Sequence, residues 1–349
     1  MGRINHRKIS HGKPAAARTQ WLSKLTGLAS SPEDILGFLH ACAQDGRESI
    51  LVTLVGIAGA SPRALGTQMA VASDGEYIGS LSGGCIEAAV AEEALDALAS
   101  GSARLVRFGA GSPYIDIRLP CGGSIDLLFT PHPDRAVIAK IMDLLNDRVP
   151  AALEISRTGV CAVGTNIPTG WRGERFVVAF TPRLRIIAFG QGEELTATAQ
   201  LAYAVGALTE AFSPAQRDVR LLRAKGIQTD LLEFRNARPA IRSDPWTAIV
   251  FLFHDRDWEE TLIPWALGLP RFYIGALGSR HSHAVRKAML VAANVLSDDI
   301  RSLRSPIGLT PSTRDPSSLA TSIIAEVVQE FAIDAALPLF SIVQDARVN

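Results

Sequence analysis

From Arg183 onward the chain alternates apolar, strand-length runs with helix-length segments, and this pattern constrains the fold most. Leu184 to Phe189, Ala207 to Phe212, Gln228 to Leu232, Thr247 to Phe253 and Arg271 to Ala276 are the strand candidates. Helices are expected from Gly192 to about Val205, and from near Pro214, Asp257, His281 and Pro316. Strands that read as continuous apolar runs are covered on both faces, and an intervening helix returns each strand parallel to the last. The expected architecture is α/β with a Rossmann-like, doubly wound parallel sheet, whose ligands bind beyond the C-terminal ends of its strands.

The dinucleotide fingerprint of such a sheet is incomplete here. Gly190 and Gly192 supply its first two glycines, but Leu195 occupies the third position. Glu193 and Glu194 suit the helix dipole but would repel a pyrophosphate. Where a ribose-binding carboxylate would end the second strand stand Ser213, Pro214 and Ala215, and Glu210 lies inside the strand. NAD(P) is therefore a doubtful ligand. Two further strand-end turns carry chemistry. His254-Asp255-Arg256-Asp257 reads either as a ligand site or as a capping and turn cluster. Gly278-Ser279-Arg280 opens a helix that carries His281, His283 and Arg286. It reads either as a phosphate cradle with a planar guanidinium or as an exposed salt bridge.

The first half is organised around Gly79 to Glu87, Gly-Ser-Leu-Ser-Gly-Gly-Cys-Ile-Glu. Strand-like residues precede it (Gln68 to Ala72, then Tyr77 to Ser80), with an Asp74-Gly75 turn between them. After it, Ile86, Val90, Ala94, Leu95 and Leu98 recur at helical spacing. A thiol, Cys85, thus sits at a strand-to-helix junction behind Ser82, Gly83 and Gly84. Free amides at a helix start attract anions and lower a thiol pKa. A second element, Cys121-Gly122-Gly123, follows Pro120. Each Cys alone could be a small buried hydrophobe and each glycine pair a turn. Together they suggest a site for a large anionic ligand with soft chemistry.

Ser31-Pro32-Glu33-Asp34 is a helix start, and Asp134 caps another helix to about Leu145. Further strands are expected at Ser49 to Ala58, Arg104 to Phe108, Tyr114 to Arg118 and Ser124 to Phe129. The expected division is a basic tail over 1–30, an α+β domain over 31–146, a linker over 147–182 that carries strand-like runs at Ala151 to Ile155 and Arg175 to Phe180 and room for an added hairpin, and the Rossmann-like domain over 183–349. The tail carries Arg3, Arg7, Lys8, Lys13, Arg18 and Lys24, and its composition suggests disorder.

Lys+Arg and Asp+Glu are both 35, which argues against a general nucleic-acid binder. No apolar run approaches membrane-span length. The four cysteines, Cys42, Cys85, Cys121 and Cys161, show no zinc-type spacing and fit a reducing cytoplasm.

Taken together, these stretches resemble the XdhC/CoxI family of xanthine dehydrogenase accessory proteins. The matching residues are Gly59 to Arg63, Met69, Asp74-Gly75, Gly79 to Glu87, Leu119 to Gly123, Gly190, Gly192, His254-Asp255, Asp257, Tyr273 to Arg280, Pro306 to Leu309, and Pro316 through Glu326. The resemblance implies a protein that binds molybdenum cofactor (molybdopterin) as cargo, protects it, and helps deliver its sulfurated form to a molybdenum hydroxylase such as xanthine dehydrogenase. It would not be an enzyme in its own right. A cysteine desulfurase and a second copy of the chain are further expected partners. The candidate cofactor contacts are Arg63, Ser82, Gly83, Gly84, Cys85, Cys121, Gly122, Gly123, Gly190, Gly192, His254, Asp255, Gly278, Ser279 and Arg280, with Cys85 and Cys121 facing molybdenum or its sulfur. Two rival readings are an NAD(P)-dependent oxidoreductase and an assembly factor that docks the apo-hydroxylase without holding cofactor.

Overall fold

A computed structural model describes residues 30–112, 122–164, 167–236, 238–310 and 314–336. The basic tail, Cys121 and the strand expected at 114–118 lie outside the described residues.

The chain enters through α1 (Pro32–Gln44), whose start is a complete capping box. Ser31 Oγ accepts from the Asp34 amide, and Asp34 accepts from the Ser31 amide at 2.8 Å. Next come β1 (Ser49–Ala58), β2 (Gln68–Ala72), β3 (Tyr77–Gly79), α2 (Glu87–Ser100), β4 (Arg104–Gly109), β5 (Ser124–Pro131) and α3 (Arg135–Asn146). The five strands form an antiparallel sheet in the order β3-β2-β1-β5-β4. Alternation along β1 splits its side chains between two cores. Ile50, Val52 and Leu54 pack under α2, while Leu51 and Val55 pack under α1 and α3.

Residues 147–182, expected to be a linker with an added hairpin at two strand-like runs, are instead a folded layer in which both runs are strands. β6 (Ala151–Ser156), β7 (Gly159–Val163), β8 (Gly170–Arg172) and β9 (Arg175–Phe180) make an antiparallel sheet in the order β7-β6-β9-β8. Leu153, Ile155, Phe176, Val178 and Phe180 complete the core below α1 and α3. A bulge in β1 between Leu54 and Gly56 takes Val55 out of the register with β5. The Val55 carbonyl accepts the Trp171 indole N–H at 2.9 Å, so the bulge becomes the anchor of the added layer.

The second domain holds β10 (Arg185–Gly190), α4 (Gly192–Ala204), β11 (Leu208–Ser213), α5 (Gln216–Ala224), β12 (Gln228–Leu231) and β13 (Thr247–Leu252). A 3-10 turn (Arg256–Trp258) leads into α6 (Glu259–Leu267), followed by β14 (Tyr273–Ala276), α7 (Arg280–Ala292), α8 (Ser297–Ser302), β15 (Leu303–Arg304) and α9 (Pro316–Ala336). All six strands are parallel, in the order β12-β11-β10-β13-β14-β15. This is the doubly wound order with its switch point between β10 and β13. Ile186 and Ala188 face α4 and α9, while Ile187 and Phe189 face α6 and α7. The Phe189 ring stacks between Phe212 and Phe251 at 5.0 and 5.2 Å, and such pairs add ~0.5–1.5 kcal/mol beyond their buried area.

Candidate functional site

Three connections meet at one end of the first sheet: 59–67 after β1, 80–86 after β3, and the residues leading into β5. The register places them together, because Thr53 pairs Gln68, Met69 pairs Gly79 and Ala58 pairs Ser124. Gly79 has φ 101°, and a Cβ there would lie 2.6 Å from the Gln68 carbonyl, so only glycine lets the chain leave β3 in this direction.

The loop that follows is built around Glu87, the first residue of α2, whose side chain is only 3% exposed. Its Oε1 accepts from Ser80 Oγ at 2.8 Å, the Leu81 amide at 3.0 Å and the Ser82 amide at 2.9 Å. Its Oε2 accepts from Ser82 Oγ at 2.9 Å and the Ile86 amide at 3.1 Å. Burial by itself would raise the carboxyl pKa, but these donors outweigh it and bring the value down to about 2. Ser82 Oγ also accepts from the Cys85 and Ile86 amides, and Ser80 Oγ accepts from the Gly83 amide.

This corrects one expectation. The loop amides before the helix are not free for an external anion, because Glu87 and the two serines take up those of Leu81, Ser82, Gly83, Cys85 and Ile86. No side chain caps the start of α2 itself. What the loop presents is the exposed Cys85 thiol behind Gly83 (φ 83°) and Gly84 (φ 110°). Nothing lies within 4 Å of a Cβ built at either glycine, so their value here is conformational.

Arg63 joins two of the connections, donating from Nε to the Ser80 carbonyl at 3.1 Å. Gly122 is exposed with φ 69°, whereas Gly123 is buried where a Cβ would meet the Ala58 carbonyl at 2.6 Å. Arg63, Ser82, Gly83, Gly84, Cys85, Gly122 and Gly123 therefore share one end of the sheet. The other described cysteines sit elsewhere. Cys42 is enclosed under α1, and burial pushes its thiol up to about 11. Cys161 is exposed on β7 and donates to Glu154 at 3.3 Å. Among the described residues no group of three or more His, Cys, Asp or Glu side chains converges on a metal position, so Cys85 is a single soft donor.

The second group lies beyond the C-terminal edge of the parallel sheet. At Gly190 a Cβ would meet the Leu252 carbonyl at 2.6 Å, so this glycine serves strand packing. The Gly192 amide, which would face a pyrophosphate, instead donates to Asp218 Oδ2 at 2.8 Å. The same oxygen accepts from Ser213 Oγ at 3.0 Å, and Asp218 is buried. The fingerprint loop thus carries its own internal anion, and Leu195 fills the third-glycine position as a fully buried core residue. Across the switch point, His254 Nε2 meets Glu194 Oε1 at 3.1 Å. Asp255 caps the 3-10 turn through the Asp257 amide and pairs with Arg235 at 3.1 Å, which is the capping and turn arrangement.

At the end of β14, Gly278 has φ 146° and Ser279 caps α7 by accepting from the Ser282 amide. Arg280 stands exposed in the first turn, and no hydrogen bond or ion pair holds it among the described residues. Below it lies a pair that sequence reasoning missed. Arg286 and Glu259, both buried, make two hydrogen bonds of 2.9 and 2.8 Å. Arg286 also donates to Ser305 Oγ at 2.7 Å and to the Leu277 carbonyl at 2.9 Å, fixing the turn from underneath. The two residues are 27 apart on different helices, so no local pattern signals the pair.

The ties between the domains lie at the opposite, N-terminal edge of the parallel sheet. Arg148 bridges to Asp244 at 2.8 Å and donates to the Arg183 carbonyl, while Arg183 reaches Ser31 Oγ at 2.7 Å.

Fold and site together define a two-domain protein: a thiol-bearing loop on an antiparallel α+β domain, joined to a Rossmann sheet with an internally filled glycine loop. The model of the XdhC and CoxI family matches residues 42–109, and that of the XdhC Rossmann domain matches residues 186–327. The chain is 36% identical over 303 residues to the molybdenum cofactor insertion chaperone PaoD of Escherichia coli, covering 86% of this chain and 89% of that one. It is 24% identical over 326 residues to a probable xanthine dehydrogenase subunit of Bacillus subtilis, covering 83% and 96%. A Bacillus halodurans crystal structure described as a xanthine dehydrogenase shares the fold with a TM-score of 0.70 at 21% identity, over 87% of this chain and 98% of that one. The chain belongs to the XdhC and CoxI family.

Proposed function

We propose that this protein holds molybdenum cofactor as cargo and delivers it to a molybdenum hydroxylase of the xanthine dehydrogenase kind. The observation that carries the reading is the Ser80–Glu87 loop. It spends a buried carboxylate and two serines on holding one exposed thiol, which a purely structural turn does not need. A soft thiolate suits the metal–sulfur end of the cofactor, and the guanidinium donors of Arg63 and Arg280 suit its phosphate. The insertion-chaperone relative points the same way. The filled Gly192 amide weighs against the oxidoreductase rival. Delivery rather than turnover, a cytoplasmic location, a cysteine desulfurase as sulfur source and a second copy as partner belong to the same proposal. No helix among the described residues is long and apolar enough to cross a membrane.

The test is purification under anaerobic conditions from cells that make the cofactor, followed by metal analysis and pterin fluorescence. Bound molybdopterin with molybdenum is the expected result. Bound NAD(P) would favour the oxidoreductase, and a protein free of both would favour the cofactor-free assembly factor.

A further inference from the structure

We propose that a cleft beside the Cys85 loop, floored by Gln68, is the pocket for the pterin ring system of the cargo; this rests on the delivery reading above. The cleft has a volume of about 510 Å³ and runs between β3, the 59–67 connection, the start of α1 and the β8–β9 layer. That volume is within the usual range for small-molecule pockets. Its walls are mostly apolar, with Ile35, Ile78, Val178 and Phe180 among them. Arg63 and Ser80 line it as well, and these are the residues bonded to each other at the root of the Cys85 loop. A ligand seated in the cleft therefore lies next to the thiol-bearing loop.

Gln68 is out of place in the fold. It starts β2, and alternation puts it on the same face as Ala70 and Ala72, which pack into the core under α1 and α3. Its residue is 3% exposed. Its Nε2 donates to Thr53 Oγ1, a long contact of 3.4 Å, while its Oε1 has no hydrogen-bond partner among the described residues. A buried acceptor without a donor destabilises a fold, and methionine would fill the same volume without that cost. An acceptor held on the floor of an apolar cleft fits a flat heterocycle that presents amino and ring N–H donors. A pterin has that edge in its 2-amino-4-oxo ring. Seated there, the heterocycle leaves the phosphate to Arg63 on the cleft wall and the metal–sulfur end to the loop that begins at Ser80 and carries Cys85.

The probe is 6-hydroxymethylpterin, which lacks both dithiolene and phosphate, titrated into the full cofactor-free chain and followed by its fluorescence. Wild type is expected to bind it saturably. Gln68→Met should weaken binding about tenfold or more while melting at the same or a higher temperature. Leu65→Trp, at an exposed position on the cleft wall, should also weaken it by narrowing the mouth. Guanosine presents the same amino-oxo edge on a different ring system, and it should bind at least tenfold more weakly. Absence of saturable binding to wild type, equal binding by Gln68→Met, or guanosine affinity matching the pterin would each overturn the assignment. Retention of the whole cofactor by wild type without binding of the probe would sink the cleft and leave the delivery reading intact. Binding of the probe without retention of the whole cofactor would do the reverse.

Discussion

Two glycine-bearing strand-to-helix turns, one in each domain, solve the same problem with different results. Both bury a carboxylate of their own against the helix start. In the first, Glu87 comes from the helix itself and gathers five donors from a loop that folds back over it. In the second, Asp218 comes from the next helix in the chain and meets two, the Gly192 amide and the Ser213 hydroxyl. In both turns loop amides that an external anion could use are bonded inside the protein. The first displays a thiol to solvent, whereas the second displays only the His254–Glu194 pair. The four cysteines all precede the second domain, so the proposed soft contact belongs to the first, and the donor that the second offers to an anion is the exposed Arg280.

The comparison breaks first at Glu87. Glu87→Ala strands three amides and two hydroxyls, so a loss of roughly 4–5 kcal/mol is expected in urea unfolding. A wild-type stability in that variant would mean that the loop does not depend on its carboxylate. The same group predicts a pH effect. Its folded pKa of about 2 lies below the ordinary 4.5, so its contribution is complete above pH 4.5 and disappears as pH falls through about 2. That contribution is roughly 3 kcal/mol, and Glu87→Gln should flatten this limb of the stability–pH curve.

Asp218→Ala is the matching change in the second domain, and with two donors stranded it should cost roughly 2–4 kcal/mol, less than Glu87→Ala. Because Asp218 occupies the Gly192 amide, wild type should bind NAD(P) no more tightly than about millimolar, ~4 kcal/mol. Micromolar binding by calorimetry would overturn the view that this turn is internally filled.

The parallel sheet was legible because Ile186 to Phe189 and Ala248 to Phe253 are continuous apolar runs of strand length, set between helix-length segments. The 147–182 layer was legible only in part: Ala151 to Ile155 and Arg175 to Phe180 read as strand-like runs and are strands, but their assembly into a sheet was not visible. β7 is half exposed along its length and carries no alternation, and β6 pairs with β9 across twenty residues, which no local pattern reports. At the site, Cys85 and its glycines stood out as residue types. Glu87 entered only as the last residue of the motif and Asp218 not at all, since their donors are brought to them by the tertiary fold.

Arg280 sharpens the comparison from the second side. It is exposed, unpaired among the described residues, and set on a turn that Arg286 holds rigid. Arg280→Ala should weaken molybdopterin binding about tenfold to a hundredfold, ~1.5–3 kcal/mol, and Arg280→Lys should recover part of that, since one point charge replaces a planar fork. Equal affinity across the three proteins would make Arg280 a surface charge and remove the second domain from the cargo site.

The central claim, that the first turn exists to present the Cys85 thiol to a soft metal–sulfur ligand, is tested most directly by anaerobic retention of molybdenum cofactor in wild type, Cys85→Ala and Cys85→Ser, with urea unfolding run alongside. Because the side chain is exposed, stability should change by less than about 0.5 kcal/mol in both variants. Retention should fall sharply in both, serine failing to rescue because a hard hydroxyl does not replace a thiolate. Wild-type retention by Cys85→Ala at unchanged stability would contradict the account.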